Sequence, residues 1–442
     1  MDKLVIDGGL PLKGSLQVSG AKNAALPILA ATLLGDGPSE ISGVPDLRDV
    51  RTMVSILKAI GAKADWDGDT IRVDASGINE GTAPYELVKT MRASFCVLGP
   101  LLARLGWAKV SMPGGCVIGS RPVDLHLKGL RALGADLRIE HGYVVARAHR
   151  LIGSRIYLGG GFGSSVLATA NVLMAAVRAE GTTLIENAAC EPEIADLADF
   201  LIKMGARVWG HGTPIIQVEG VQKLAGAKHR VIADRIEAAT YLIAGAITQG
   251  EVTVQGARTD HLGAVLDKLR QVGVSVEDGE NFIRVKSYPK IYPVDVTTLA
   301  FPGFPTDLQA QMTALLCLAD GISVVTEKIY PDRFMHLSEL ARMGADIREE
   351  GASAIIRGVH HLSGAPVMAS DLRASAALIL AGLVAEGRTE VFRVYHLDRG
   401  YERVEEKLAA LGAHVWREKD ETFTTGSMGA PQSEAAQEES RR

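Results

Sequence analysis

Aromatic residues are scarce, at 5% of the 442-residue chain. Proteins that stack single-stranded nucleic acid lean on aromatic platforms, so that class is disfavoured. A dominant charge sign is missing too: 47 Lys and Arg face 52 Asp and Glu, a net of −5. This argues against a whole-surface footprint for nucleic acid or anionic membrane, while leaving room for a local basic pocket. Only four cysteines occur (Cys96, Cys116, Cys190 and Cys317), far apart and without a Cys-x-x-Cys pair. A disulfide framework or a zinc site is therefore not expected. The longest apolar runs, such as Ala24 to Leu34 and Ala168 to Val177, reach about half the roughly 20 residues that span a bilayer. The opening Met-Asp-Lys-Leu-Val has no basic segment leading into an apolar one, so no signal peptide is expected. These absences suit a soluble, cytoplasmic, globular protein.

Apolar residues are abundant, at 47%, which is ample for large cores. The length fits two to four domains. The 48 glycines follow no Gly-X-Y period, which excludes collagen. Many instead punctuate an internal repeat. A phrase of the form Leu-x-x-apolar-Gly-Ala, with Val274 in place of Ala in one copy, recurs with its glycines at Gly61, Gly134, Gly205, Gly273, Gly344 and Gly412, roughly 70 residues apart. A second phrase, an apolar run ending in glycine and then a β-rich stretch, has its glycines at Gly35, Gly106, Gly181, Gly250, Gly321 and Gly387. Each unit reads as apolar helix, Gly, strand, amphipathic helix, Gly, strand. Glycine after a helix is a left-handed stop. The first helix of each unit is apolar nearly all round and should be buried. The second is one-sided, as at Met53, Leu57 and Ile60, and should lie outside. Six such units are too long for a solenoid and suit two α/β domains of three units each. The polar stretch Gln222 to Arg230 is the expected seam, and the aperiodic segment Lys419 to Arg442 the expected disordered tail.

Four segments carry candidate chemistry. In Val18-Ser-Gly-Ala-Lys-Asn-Ala-Ala-Leu-Pro27, Lys22 and Asn23 open the first apolar helix. A helix N-terminus favours anions, so a cation there is unfavourable until an anion arrives. The alternative is an ordinary helix start with Lys22 in solvent. In Met112-Pro-Gly-Gly-Cys-Val-Ile-Gly-Ser-Arg-Pro-Val-Asp-Leu-His126, Cys116 lies in a glycine-punctuated loop, unlike Cys96 and Cys317 in apolar helix patterns. An accessible thiol in a tuned setting can act as acid or nucleophile. Phe301-Pro-Gly-Phe-Pro-Thr-Asp-Leu-Gln309 places Asp307 at a helix start, as a first-turn acid or a base. Isolated arginines at Arg92, Arg333 and Arg399 complete the set. Gly159-Gly-Gly-Phe-Gly-Ser-Ser165 lacks the Lys of a Walker loop and reads as a flexible loop before the third apolar helix.

Together these motifs resemble the UDP-N-acetylglucosamine enolpyruvyl transferase family from residue 1 to about 417. The match rests on PGGCVIGSRPVDLH, GAKNAALP, GFPTDLQAQ, RFMH and YHLDRGYERVEEKL. The resemblance implies two inside-out α/β barrels, each of three repeats with buried apolar helices. One domain would be residues 20–229. The other would be 1–19 plus 230–418, and 419–442 the tail. It implies an active site between the domains and transfer of the enolpyruvyl group of phosphoenolpyruvate to the 3-hydroxyl of UDP-N-acetylglucosamine, in peptidoglycan synthesis.

Lys22 and Asn23 would bind phosphoenolpyruvate, with Arg121 and Arg399 clamping its phosphate and carboxylate. Arg92, Arg121, Pro122, Val123, Asp124 and Leu125 would hold the UDP-sugar, with Gly163, Ser164, Ser165 and Val166. Asp307 would be the base at the sugar hydroxyl, Ile329 would line the uracil and Arg333 would contact substrate. Cys116 would deliver the proton to the enolpyruvyl methylene carbon, with Lys22 as the other candidate acid. No metal, organic cofactor or obligate protein partner is implied. Two departures from the family pattern stand out: Leu167 within Ser165-Val-Leu-Ala-Thr169 where glycine is usual, and Asp332 before Arg333 where Asn is usual. The related 5-enolpyruvylshikimate-3-phosphate synthases are the nearest alternative, and a repeat-built sensor of sugar nucleotides is one from another class.

Overall fold

The computed structural model describes residues 2–113, 123–161 and 163–420. The repeat becomes six four-stranded mixed sheets, each with one parallel pair and two antiparallel pairs. The third unit shows the pattern. Strand Arg155–Tyr157 leads to helix Val166–Ala176. Strand Thr182–Glu186 then returns parallel to the first. Helix Pro192–Lys203 follows, and the hairpin Arg207–Trp209 with Ile215–Glu219 completes the sheet antiparallel.

Burial separates the two helices of each unit as their side chains dictate. From Ala168 to Ala176, every residue of Val166–Ala176 is buried. Helices Arg235–Ile247 and Leu372–Val384 are buried almost throughout. The second helices, such as Arg48–Ala59, bury one side only. All six glycines of the first phrase lie at positive φ, between 93° and 105°, a region that costs a residue with Cβ free energy. In the second phrase two glycines break the pattern. At Gly250 the left-handed position falls on Gln249 (φ 54°), and the glycine serves a close approach instead, since a Cβ there would sit 2.0 Å from the Leu12 carbonyl oxygen. Gly35 is extended, at φ −84°.

Buried side chains form two separate cores. One draws on residues from Ala21 to Val231; the other joins residues Leu4 to Val18 with Ile236 to Val415. The N-terminal strands serve the second core: Asp2–Asp7 lies antiparallel between Arg388–Phe392 and His414–Lys419, and Lys13–Gln17 lies parallel to Glu251–Gln255. The chain crosses between cores twice, and the two crossings touch in an antiparallel bridge between Gly20 and Ala233.

The chain passes between the cores directly after the stretch 222–230 expected as the seam, and that stretch is itself structured. Leu224–Ala225 and Lys228–Arg230 are edge strands parallel to Gly35–Asp36 and Pro38–Ser42, so they belong with the first core and the crossing follows them. Their polar composition reflects an exposed sheet edge, not a linker. Lys419, read as tail, is the last residue of a strand and pairs with Asp2. The rest of that tail, from residue 421, lies outside the described residues. Among the described residues, no helix is long and apolar enough to cross a membrane.

Candidate active site

Lys22 is the first residue of helix Lys22–Ala31, whose N-cap Ala21 offers no side-chain hydrogen bond. The anion its position calls for comes from within the chain. Asp49, in the first turn of Arg48–Ala59, accepts from Lys22 Nζ at 3.1 Å through one carboxylate oxygen. Its other oxygen accepts from Arg399 Nε at 2.9 Å. Lys22 and Asp49 belong to the first core and Arg399 to the second, so this ion triad spans the two. Burial would raise the Asp49 carboxyl, but the two cations outweigh it and hold it below the usual carboxylate value. Asn23 is exposed beside them.

A second cluster gathers in the other core. Asp307 lies in the short turn Thr306–Leu308, which follows Pro305 and leads into helix Gln309–Leu316. Arg333 Nη1 donates to Asp307 Oδ1 at 2.9 Å, and Arg373 Nη2 donates to Oδ2 at 3.0 Å. Both arginine side chains are buried, while the Asp307 side chain keeps 29% exposure. Burial pushes its carboxyl up, yet Arg373 and then Arg333 drive it far below the ordinary range. Asp332 is exposed and takes no part in holding Arg333, which leans on Asp307 and on the Thr306 hydroxyl at 3.0 Å. The clusters are joined by the turn at 399–401: Arg399 reaches Asp49, and the Arg373 guanidinium lies 5.4 Å from the Tyr401 ring centroid.

A third group converges in the first core. Arg92 opens the turn Arg92–Val97, and Val123, Asp124 and Leu125 start helix Asp124–Ala132. Buried His126 accepts from Asn171 Nδ2 at 3.0 Å, in the tautomer that leaves Nδ1 unprotonated. Asn171 also donates to the Phe95 carbonyl at 3.0 Å and accepts from Gly99 N at 2.6 Å. Burial and the charge of Arg92 push the His126 imidazole down to about 3, so it is neutral near pH 7. This knot ties together the three segments that carry Arg92, residues 123–125 and residues 163–166. Gly160 and Gly163 exchange backbone hydrogen bonds at 2.9 and 3.1 Å, and Ser165 caps the following helix through Ala168 N. Leu167 packs against the core, so the departure from glycine is absorbed inward. Ile329 is half-buried in the turn that follows strand Ile322–Thr326. Cys116, Arg121 and Pro122 lie outside the described residues.

Asp49 and Arg373 were not among the residues the sequence singled out. Asp49 looks like any first-turn acid on an outer helix. Arg373 left a signal: it is the lone charge in the otherwise uncharged, largely apolar run Leu372–Val384.

The sequence matches, over residues 6–408, the family described as EPSP synthase (3-phosphoshikimate 1-carboxyvinyltransferase). The chain belongs to this family of enolpyruvyl transferases. It is 55% identical to a UDP-N-acetylglucosamine 1-carboxyvinyltransferase of Geotalea uraniireducens (strain Rf4), covering 94% of this chain and 99% of that one. It is 57% identical to the protein of the same name from Anaeromyxobacter sp. (strain Fw109-5), covering 95% and 100%. Among solved structures it is similar to the enolpyruvyl transferase NikO of Streptomyces tendae, with a TM-score of 0.86, 27% identity and 94% and 98% coverage. An EPSP synthase from Acinetobacter baumannii, at 19% identity and a TM-score of 0.75, shares the fold. Such a fold holds the three clusters on a common α/β frame of mixed sheets.

Proposed function

We propose that the chain transfers the enolpyruvyl group of phosphoenolpyruvate to the 3-hydroxyl of UDP-N-acetylglucosamine, releasing phosphate, in cytoplasmic peptidoglycan synthesis. The observation that carries this reading is near full-length identity of 55% and 57% to proteins of that name. Two inside-out barrels of three units, residues 20–229 and 1–19 with 230–418, would face each other across the substrates.

The chemistry sets three demands. The methylene carbon of phosphoenolpyruvate must gain a proton, which makes the adjacent carbon oxocarbenium-like. The sugar 3-oxygen then attacks that carbon as its own proton leaves. Loss of phosphate and of a methyl proton restores the double bond. Cys116 is the proposed acid for carbon, with Lys22 the alternative, and Asp307 the proposed base. Lys22, Asn23, Arg121 and Arg399 hold the anionic reactant. Arg92, Arg121 to Leu125, Gly163 to Val166, Ile329 and Arg333 hold the sugar nucleotide. Positioning and preorganised charge carry most of the acceleration. Asp307 between two arginines is a strong anion but a weak base. Arrival of an anionic reactant beside those arginines would offset their pull and raise its basicity.

Purified protein given phosphoenolpyruvate with UDP-N-acetylglucosamine should release phosphate, and with shikimate 3-phosphate should not. Turnover only with the shikimate ester would reassign the acceptor, and turnover with neither would sink the reading.

A further inference from the structure

The second core contains a charged residue that the proposed chemistry does not use. Glu327 ends the strand region that begins with Ile322–Thr326, and it is fully buried. A carboxylate so placed needs partners, and it has four donors. Through Oε1 it accepts from the Thr298 hydroxyl at 2.5 Å, from Ile329 N at 2.7 Å and from Tyr330 N at 2.9 Å. Through Oε2 it accepts from the Thr306 hydroxyl at 2.7 Å. Its own backbone is fixed by Glu327 N donating to the Ala352 carbonyl at 2.8 Å.

These bonds point in two directions. Two backbone donors come from the turn that carries Ile329. The Thr306 hydroxyl belongs to the turn that carries Asp307, and its oxygen accepts from Arg333 Nη1 at 3.0 Å. A hydroxyl has one proton. With its oxygen receiving the arginine N–H, that proton is committed to Glu327, so the order Arg333 to Thr306 to Glu327 has a fixed sense. Arg333 in turn donates to Asp307 at 2.9 Å. On the far side the Thr298 hydroxyl donates to Glu327 while accepting from Lys328 N at 3.0 Å, which closes the turn on itself.

We propose that Glu327 is a positioning residue for the transfer reaction, one carboxylate that sets both the Ile329 turn and the Asp307–Arg333 pair. The proposal rests on the functional reading above, since it assigns Ile329 to the sugar nucleotide and Asp307 to the base. Glu327 touches neither reactant; it acts through the residues that do. The two arms are separable because each carboxylate oxygen serves a different one.

The test compares E327Q and T306V with wild type in the phosphate-release assay, varying each substrate. Glu327→Gln keeps the shape but replaces one acceptor by a donor. Its KM for UDP-N-acetylglucosamine should rise about tenfold and its kcat fall about tenfold. Its KM for phosphoenolpyruvate should stay within about twofold, because Lys22 and Arg399 are held by Asp49 instead. Thr306→Val cuts only the relay to Arg333, so kcat should fall about tenfold with the sugar-nucleotide KM nearly unchanged. Thermal melting of each variant reports folding separately. A purely structural role would lower the melting temperature and leave kcat per folded molecule and both KM values where they were. That result in E327Q, or in T306V should E327Q fail to fold, overturns the proposal. A wild-type chain that releases no phosphate overturns the functional reading, and this role with it. A wild-type chain that turns over beside an unaltered E327Q overturns the role alone.

Discussion

Arg399 and Asp49 lie 350 residues apart in sequence, and their side chains meet at 2.9 Å between the two cores. Lys22 completes the triad at 3.1 Å. Asp49 therefore occupies, as an internal anion, the company of cations assigned to phosphoenolpyruvate. Asp49→Asn should leave buried Lys22 without a counter-charge and cost about 3 to 5 kcal/mol. Millimolar phosphoenolpyruvate or inorganic phosphate should then raise the melting temperature of D49N more than that of wild type, because the added anion replaces the missing one. Equal shifts in both proteins would refute the stand-in. The acid side of the stability curve carries the same signature. Asp49 has an ordinary value of 3.8 and a lower one when folded, so its contribution is present above about pH 3.8 and lost as pH falls further. D49N should lack that loss.

Arg399 tests the other end of the triad. Its side chain is 36% exposed, so little folding stability should depend on it. A charge-assisted contact to a substrate in a closed site matters far more to the reaction. Arg399→Ala should lower kcat/KM about 10² to 10³-fold while the melting temperature barely moves. Near wild-type turnover would remove Arg399 from the anion site.

What the sequence disclosed and what it hid divide along physical lines. The six left-handed glycines were legible because a turn constrains a single residue locally. The buried helices were legible because their composition is apolar on all sides. Asp49, Arg373 and Glu327 were not, because their importance lies in partners that folding brings from elsewhere: Arg399 for Asp49, Asp307 for Arg373, and Thr298 and Thr306 for Glu327. The same reason hid the strands within the expected seam. Lys228–Arg230 looks like a linker by composition, and only its pairing with Pro38–Ser42 makes it a strand.

Arg373 sets the electrostatics of the proposed base. Removing one cation beside a carboxylate raises its pKa. Arg373→Gln should bring the Asp307 carboxyl back toward its ordinary range, so more of it is protonated in mildly acid solution. The acid limb of the pH profile of kcat/KM should then move to higher pH in R373Q than in wild type. An acid limb at the same pH in both would show that Asp307 is not the group that must be ionised.

Cys116 can be tested by separating acid from nucleophile. The family resemblance implies alkylation of this thiol by the epoxide fosfomycin, a reaction of the thiolate, whereas catalysis needs a proton for carbon. A carboxylic acid supplies protons but is a weak nucleophile. Cys116→Asp should retain measurable phosphate release and show no fosfomycin adduct by intact mass, while Cys116→Ala should lose most turnover. Wild-type activity in C116A, or adduct on C116D, would contradict the role.

Glu237 gives the last prediction, at the place where the chain passes between cores. It is almost wholly buried, accepting from Ser19 N at 2.8 Å and from Lys407 Nζ at 2.6 Å. Ser19 precedes the Gly20–Ala233 bridge and also donates to Glu402, which accepts from Asp46 N at 2.9 Å. Burial pushes the Glu237 carboxyl up to about 7 from an ordinary 4.5, even though Lys407 pulls the other way. A raised folded value means that the proton is held more tightly in the native state. The associated stability is present below about pH 4.5 and is lost as pH rises through about 7, at about 1.4 kcal/mol for each unit of displacement. Glu237→Gln carries no titratable proton and should lack this decline. Denaturant unfolding of both proteins from pH 4.5 to 8 should therefore show wild type losing stability relative to E237Q as pH rises. Parallel curves would mean that the lysine, rather than burial, governs this carboxylate.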